Sequence, residues 1–420
     1  MELEKEKEVT QEQLLKAAKK SGFAGGITTG LVIGAIMICT SYIASQLTPK
    51  LSATVSDSKE EASGDVIDND VVKKLKLLED SIDKYYLEDV ETEQVENSLY
   101  KGFVAGLGDP YSTYYSKEEL EEVYDSTEGI YYGIGAYISL DEATGGGKIT
   151  KVMPNTPAEE AGVHDNDIIV AVDGENVLGM TLSDIVSKVK GPENTQVTLT
   201  LYREGEADYL EIPVTRMKIE SPTVTYEMYE NNIAYIQITE FDSVTTDQFR
   251  EKLNQAKAEG MKSLILDLRD NPGGNLSDVV DISGELLPKG LVVYTEDRDG
   301  KRKEYSCDGK NEIQVPMVVL VNGNSASAAE ILAGAIKDYD KGTILGTTTF
   351  GKGIVQRIFG LSDGSAIKLT VSHYYTPKGN DIHGVGIEPD ETLELDYEKY
   401  LEDRSDNQLE RAKQILQKQQ

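Results

Sequence analysis

The spacing of hydrophobic and polar positions changes along the chain, and these changes divide it into segments. Residues 71–125 place apolar side chains at helical spacing, as in VVKKLKLLEDSIDKYYL, and residues 393–420 also have a helical pattern. Residues 126–214 alternate polar and apolar positions in short runs between turns, which predicts strands. Residues 215–392 alternate apolar strands with amphipathic helices, which predicts an α/β domain. The sequence therefore predicts a multidomain α+β protein.

An uncharged stretch precedes these segments. Residues 23–45 contain no charged side chain, and a helix of that length crosses the hydrocarbon core of a bilayer, about 30 Å. Lys16, Lys19 and Lys20 lie on its N-terminal side, so the positive-inside rule places residues 1–22 in the cytoplasm. A cleaved signal peptide is the alternative, but the stretch is long for one, and we expect an uncleaved transmembrane anchor. The rest of the chain is then extracytoplasmic.

Composition excludes some partners. The chain carries 42 basic and 74 acidic residues, a net charge of −32, which would repel the phosphates of a nucleic acid. Residues 46–70 are polar without periodicity and are predicted to be a tether. The two cysteines and three histidines form neither CxxC nor HExxH, so the sequence gives no support for a metal site or a cofactor.

The segment 126–214 resembles a PDZ domain, and the stretch VMPNTPAEEAGVHDNDIIVAVDGENV carries the resemblance. The resemblance implies that the loop Tyr132-Gly133-Ile134-Gly135 binds the terminal carboxylate of a peptide through backbone N–H groups. Glycine allows the backbone to turn its N–H groups toward an anion, and the peptide would extend the edge of the sheet. His164, in a turn of this segment, is expected to be an exposed loop residue.

Three predicted strand ends in residues 215–392 carry unusual residues, and sites in α/β sheets collect at such ends. SLILDL is followed by RDNPGG, whose glycines expose backbone N–H groups suited to an oxyanion hole. MVVLV is followed by NSASAA and a helix. There a serine, Ser325 or Ser327, is either a helix cap or a nucleophile.

The third strand end is GTTTFGKG, residues 346–353. It matches a phosphate-binding P-loop except at Gly353, where a Ser or Thr should bind Mg²⁺. Lys352 would also lie on the side of the membrane that lacks an ATP supply. A lysine can instead deprotonate a serine if burial or a nearby cation lowers its pKa, and the apolar flanks Phe350, Ile354 and Val355 permit burial.

Together these segments resemble the carboxyl-terminal processing proteases, also called tail-specific proteases, which are Ser-Lys serine peptidases with a PDZ domain. The resemblance covers about residues 70–390 and rests on GDPYSTYYSKEEL, LRDNPGG, SASAAEILAGAI, TTFGKGIVQ and GVGIEPD, in this order. It implies that Ser327 is the nucleophile, Lys352 the general base, and Gln356 the residue that orients the lysine. It also implies an oxyanion hole formed by the N–H groups of Gly273 and Ala328.

The function expected from this resemblance is that of a membrane-anchored, extracytoplasmic serine endopeptidase that captures the C-terminal tails of proteins or peptides and needs no cofactor. Relatives also suggest a homodimer interface formed by residues 71–106 and the C-terminal helix. Two alternatives stay open. One is a Ser-His-Asp hydrolase with His373 or His383 as base, and the other is a tethered PDZ adaptor whose hydrolase fold is inactive.

Overall fold

The computed structural model describes residues 66–419, which form two compact units. The first unit comprises residues 66–84 and 132–217, and the second comprises residues 85–131 and 218–419. The predicted cytoplasmic segment, the predicted transmembrane helix and most of the predicted tether lie outside the described residues. Within residues 66–419, no helix has the length and apolar character that a membrane crossing requires.

The described residues form both helices and strands. The helices are α1 Asn69–Tyr85, α2 Thr92–Ala105, α3 Lys117–Glu128, α4 Pro157–Glu160, α5 Leu182–Val189, α6 Thr245–Ala258, α7 Leu276–Leu286, α8 Ala328–Asp338, α9 Tyr397–Asp403 and α10 Asn407–Gln417. The strands are β1 Thr113–Tyr115, β2 Ile130–Gly133, β3 Ala136–Leu140, β4 Gly147–Val152, β5 Ile168–Val172, β6 Glu175–Asn176, β7 Gln196–Tyr202, β8 Leu210–Thr215, β9 Met217–Glu220, β10 Val224–Tyr229, β11 Ile233–Ile238, β12 Ser263–Asp267, β13 Gly290–Asp297, β14 Arg302–Cys307, β15 Met317–Val321, β16 Thr343–Gly346, β17 Ile354–Gly360, β18 Ala366–Tyr375 and β19 Glu391–Thr392.

An antiparallel sheet forms the core of the first unit, with strand order β3-β4-β5-β7-β8 and β6 paired to β5. In β7 the side chains of Val197, Leu199 and Leu201 are fully buried while the residues between them are not, as strand geometry requires. α5 begins after Thr181, whose hydroxyl accepts a hydrogen bond from the Asp184 N–H. The strands predicted for residues 126–214 are therefore confirmed.

A six-stranded sheet forms the core of the second unit, with strand order β10-β11-β12-β15-β16-β19. β10 is antiparallel to β11, and the other neighbours are parallel. Every residue of β12 and β15 is buried, including Ser263 and Asp267 at the two ends of β12, as in parallel strands that are covered on both faces. Leu264 and Leu266 belong to a core completed by α6, α7 and α8, whereas Ile265 belongs to one completed by Ala412 and Leu416 of α10. Helices therefore cover both faces of the sheet.

A second sheet in this unit ties the N-terminal part of the unit to the strand beside the predicted lysine loop. Its order is β1-β18-β13-β14, and β17 also pairs with β18. Thr113 of β1 lies opposite Lys368 of β18, and Gln356 of β17 lies opposite Thr370 of β18. The GDPYSTYY motif is thereby held on the strand that pairs with β17.

Candidate active site

Three parallel strands end side by side at the predicted site. β12, β15 and β16 are neighbours in the sheet, so the loops that follow them leave the same edge. These loops are hydrogen-bonded to one another. Ala326 N–H donates to Asn271 O at 2.9 Å, and Phe350 N–H donates to Ser325 O at 3.0 Å. The structure thus brings together the three strand ends that the sequence singled out.

Ser327 is the N-cap of α8 and has a left-handed backbone, with φ at 54°. Such a conformation is uncommon for a residue other than glycine and persists only where neighbours hold it. Ser327 N–H donates to Glu330 Oε2 at 2.9 Å, and Ser327 O accepts from the Tyr374 hydroxyl at 3.0 Å. Ser325, the other candidate, is fully buried and donates its hydroxyl proton to Leu268 O at 2.7 Å. The Ser325 hydroxyl therefore links the loops that follow β12 and β15.

Gly273 approaches Ser327 so closely that only glycine fits. Its φ is 103°, and a Cβ at this position would lie 2.7 Å from Ser327 Cβ and 2.9 Å from Ala328 N. Ala328 is the first residue of α8, where backbone N–H groups have no acceptor within the helix. Gly273 N–H, however, donates to Asn271 Oδ1 at 2.8 Å. Both predicted oxyanion donors therefore lie beside Ser327, and one must leave its present acceptor before it can bind an oxyanion.

Glu330 connects the serine and the lysine loop, and sequence reasoning did not identify it. Its carboxylate is fully buried and accepts four hydrogen bonds. The donors are Ser327 N–H at 2.9 Å, Thr349 Oγ1 at 2.6 Å, Gly351 N–H at 2.7 Å and Lys352 N–H at 2.8 Å. A buried carboxylate is stable only when it is satisfied in this way. The available signal was its place three residues after the N-cap serine, the spacing of a capping box.

Lys352 has a lowered pKa. Burial is the largest cause, because it disfavours the charged amine, and the nearby Lys368 ammonium lowers the pKa further. The carboxylates of Glu330 and Asp109 act in the opposite direction. The net direction is the one that a lysine acting as a general base requires.

The Lys352 amine lies against the ring of Tyr111. Nζ lies 4.9 Å from the centroid of the Tyr111 ring. Across the part of the chain that the structure describes, no hydrogen bond joins Nζ to Ser327 Oγ or to Gln356. Gln356 Nε2 is buried, and among these residues it has no hydrogen-bond partner. The predicted hydrogen bond between Lys352 and Gln356 is therefore not formed among the described residues.

The predicted peptide-binding loop lies in the first unit, where Tyr132 and Gly133 are the last residues of β2 and Ile134 and Gly135 connect it to β3. Tyr132 is 44% exposed, whereas Gly133 is buried and the Ile134 side chain is part of the core of the unit. Gly135 has φ at 80°, and its carbonyl accepts a hydrogen bond from Thr156 Oγ1 at 3.1 Å. The carbonyls of Ile134 and Gly135 also accept hydrogen bonds from the backbone N–H groups of Ala158 and Met153, and the binding of a carboxylate by this loop stays a prediction.

Two of the three histidines lie together in the second unit. His373 and His383 are exposed, and their rings meet edge-on with centroids 5.6 Å apart. Neither imidazole is hydrogen-bonded to Ser327 within residues 66–419. His164 is exposed in a loop, as expected. Over the same residues, no group of three or more His, Cys, Asp or Glu is placed to hold a metal ion.

Family models match most of the described chain. The model of peptidase family S41 matches residues 232–393, that of a PDZ domain matches residues 148–203, and that of the activating protease CtpB N-terminal domain matches residues 31–119. The S41 match contains all three strand-end loops, and the PDZ match contains strands of the sheet in the first unit.

Known proteins that align with most of the chain agree with these family matches. The carboxy-terminal processing protease CtpA of Bacillus subtilis is 33% identical over 368 residues, which cover 87% of this chain and 78% of that protein. The carboxyl-terminal-processing protease of Synechocystis is 34% identical over 316 residues, 74% of each protein. A Staphylococcus saprophyticus protein named a probable CtpA-like serine protease is 36% identical over 329 residues, and the chain spans 66% of its length. The protein therefore belongs to peptidase family S41, the carboxyl-terminal processing proteases, as a serine-type peptidase with a PDZ domain.

Proposed function

We propose that this peptidase is a membrane-anchored, extracytoplasmic endopeptidase that cleaves substrate tails with a Ser327–Lys352 dyad. One observation carries the proposal. The Glu330 carboxylate accepts hydrogen bonds from the backbone N–H groups of both residues, at 2.9 and 2.8 Å. The backbones of Ser327 and Lys352 are thus both fixed by the same buried carboxylate. The pKa of Lys352 is lowered, mainly by burial, which favours the neutral amine that a general base must be.

The dyad would work through an acyl-enzyme. The neutral Lys352 amine takes the proton of the Ser327 hydroxyl as its oxygen attacks the scissile carbonyl carbon. The N–H of Ala328, joined by that of Gly273 once it leaves Asn271, stabilises the negative oxygen of the tetrahedral intermediate. The ammonium then gives its proton to the leaving amine, and water hydrolyses the ester by the same route. Gln356 would hold the neutral amine during these steps.

Substrate capture is assigned to the PDZ domain. The backbone of Tyr132–Gly135 would bind the terminal carboxylate of a protein or peptide, and the extended tail would add a strand to the sheet. Support comes from the left-handed φ of 80° at Gly135 and from the burial of the Ile134 side chain, which leaves the backbone to meet the ligand. The mechanism needs no cofactor, and the net charge of −32 disfavours a nucleic-acid partner.

Anchoring and location rest on residues 23–45, which lack charge over a length sufficient for a bilayer. Cells that produce the full chain should retain it in the membrane fraction after alkaline extraction. A variant that starts at residue 46 should be soluble. External protease should degrade the catalytic domain in intact, wall-stripped cells, and protection there would contradict an extracytoplasmic location.

A homodimer is proposed as the assembly state. α1 buries no residue and exposes Leu77 and Leu78, at 64% and 53%, and α2 exposes Phe103 at 55%. Exposed apolar side chains are common on surfaces that meet a partner. A second copy of this chain is the partner that the resemblance implies. Light scattering of the detergent-solubilised chain should give twice the chain mass. A monomer would contradict the proposal.

Cleavage of casein distinguishes the peptidase from a tethered adaptor. Full-length protein in detergent should degrade casein, and Ser327→Ala should not. The variants His373→Ala and His383→Ala should retain activity, because neither imidazole is needed as base. Casein that is bound but left intact by the wild-type protein would favour the adaptor, and loss of cleavage in either histidine variant would favour the Ser-His-Asp alternative.

A further inference from the structure

A tight turn at residues 109–112, which we call the Asp109 turn, precedes β1. Asp109 accepts hydrogen bonds from Tyr111 N–H at 3.0 Å and from Ser112 Oγ at 2.6 Å. Burial alone would raise the pKa of Asp109, but these hydrogen bonds hold it below its ordinary value, so the carboxylate is charged. Ser112 Oγ in turn accepts from Thr370 N–H of β18 at 3.1 Å. The turn is therefore fixed on the strand that pairs with the Lys352-bearing segment.

The ring of Tyr111 lies under the amine of Lys352. Nζ is 4.9 Å from the ring centroid, within the range of a cation–π interaction. Burial, and then Asp109 and Glu330, raise the pKa of Tyr111, so the ring stays neutral at working pH. The face of a neutral aromatic ring attracts an ammonium and has no such attraction for a neutral amine. The contact therefore favours the protonated form of Lys352.

The buried end of the Gln356 amide favours the neutral amine instead. Its Nε2 is a hydrogen-bond donor, and a neutral amine has a lone pair that accepts, whereas an ammonium has none. In the described chain this buried Nε2 lacks a partner, which is unusual for a buried polar group. The Tyr111 ring therefore suits the charged amine, whereas Gln356 Nε2 would suit the neutral amine.

We propose that Tyr111 is a positioning residue that holds protonated Lys352 away from Gln356 and Ser327, so that loss of the proton releases the amine to its working place. The inference rests on the proposed role of Lys352 as general base. The charged groups that face Lys352 are Lys368 on β18, Glu330 on α8 and Asp109 in the turn. None of these groups belongs to the ring, so the effect of Tyr111 can be separated from theirs.

The test is the pH profile of kcat/KM for a short chromogenic peptide, measured on the full-length protein in detergent. This parameter reports the pKa of the free enzyme. Tyr111→Leu keeps an apolar side chain over the amine but removes the ring, and its acid limb should move to lower pH by about one unit. At a pH on that limb, activity should rise up to about tenfold. Tyr111→Phe keeps the ring face and should follow the wild-type profile.

The outcomes separate this inference from the proposed function. A Tyr111→Leu profile that coincides with wild type, or that moves to higher pH, overturns the role of Tyr111. Thermal unfolding checks that each variant is folded, and Tyr111→Met, also apolar and without a ring, replaces the leucine variant if that one is not. Wild-type activity in Lys352→Ala would instead overturn the base itself, whatever the Tyr111 variants do.

Discussion

Glu330 Oε2 lies 2.9 Å from the backbone nitrogen of Ser327 and accepts its hydrogen bond. This contact holds the serine in a left-handed conformation, with φ at 54°, that few residues other than glycine adopt. The same carboxylate binds the N–H groups of Gly351 and Lys352. One buried side chain thus determines how the nucleophile and the lysine loop approach each other.

Glu330→Gln should misplace both loops. The glutamine amide has one acceptor oxygen, whereas each carboxylate oxygen of Glu330 now accepts a hydrogen bond from at least one backbone N–H. The NH₂ group of the glutamine must therefore face a backbone N–H, and two donors would oppose each other. We expect kcat to fall about 100-fold and the free energy of unfolding to fall by about 1–3 kcal/mol. Glu312→Gln, which alters a carboxylate paired with Lys341 away from the site, is the control and should change neither. Wild-type activity in Glu330→Gln would contradict the role of Glu330 in positioning the two loops.

Gly273→Ala should abolish most activity. The new Cβ would lie 2.7 Å from Ser327 Cβ and would also force a left-handed φ of 103° on alanine. We expect a fall in kcat of at least 100-fold, because the oxyanion hole would be displaced. Gly360→Ala, where no atom lies within 4 Å of the new Cβ, should keep wild-type turnover of a short peptide. Similar rates for the two variants would contradict the proposed place of Gly273.

The sequence predicted the three strand ends correctly because each contrast between a buried strand and a small or glycine-rich loop is local. The Glu330 and Tyr111 contacts were not predictable in this way. Glu330 binds backbone N–H groups 21 and 22 residues away, and backbone donors leave no mark on residue identity. Tyr111 meets Lys352 only because β1 joins the sheet of β17 and β18. The hairpin of β13 and β14 was also missed, because its polar second strand, RKEYSC, lacks a strong alternating pattern.

Gly135→Ala should impair capture of tails more than chemistry. A Cβ at this position would lie 2.3 Å from Thr156 Cβ, which would displace the loop proposed to bind the substrate carboxylate. We expect kcat/KM to fall at least tenfold for a protein with a free apolar C-terminus and to change little for a short peptide. Gly174→Ala shares the left-handed φ but meets no atom within 4 Å, and it controls for backbone strain. An equal loss on both substrates would count against the PDZ assignment.

Asp242 should make stability depend on pH. Burial, then Glu240 and Asp278, raise the pKa of Asp242 to about 7. The folded state therefore holds a proton that the unfolded chain, with a pKa of about 4, releases. It follows that Asp242 lowers the free energy of unfolding progressively as pH rises from about 4 to about 7, with the full loss present above 7. Asp242→Asn should be more stable than wild type at pH 8, and the difference should vanish near pH 4. Denaturant unfolding at both pH values measures this, and a difference independent of pH would contradict the assignment.

Lys352 is proposed to activate Ser327 by taking its proton. The rate at which a fluorophosphonate labels Ser327 measures this activation. Mass spectrometry detects the labelled serine in the full-length wild-type protein and in Lys352→Ala. Labelling needs the activated hydroxyl but neither substrate capture nor product release. We expect labelling of Lys352→Ala to fall at least 1,000-fold, while His383→Ala should react at the wild-type rate. Rapid labelling of Ser327 in folded Lys352→Ala would contradict this role of Lys352.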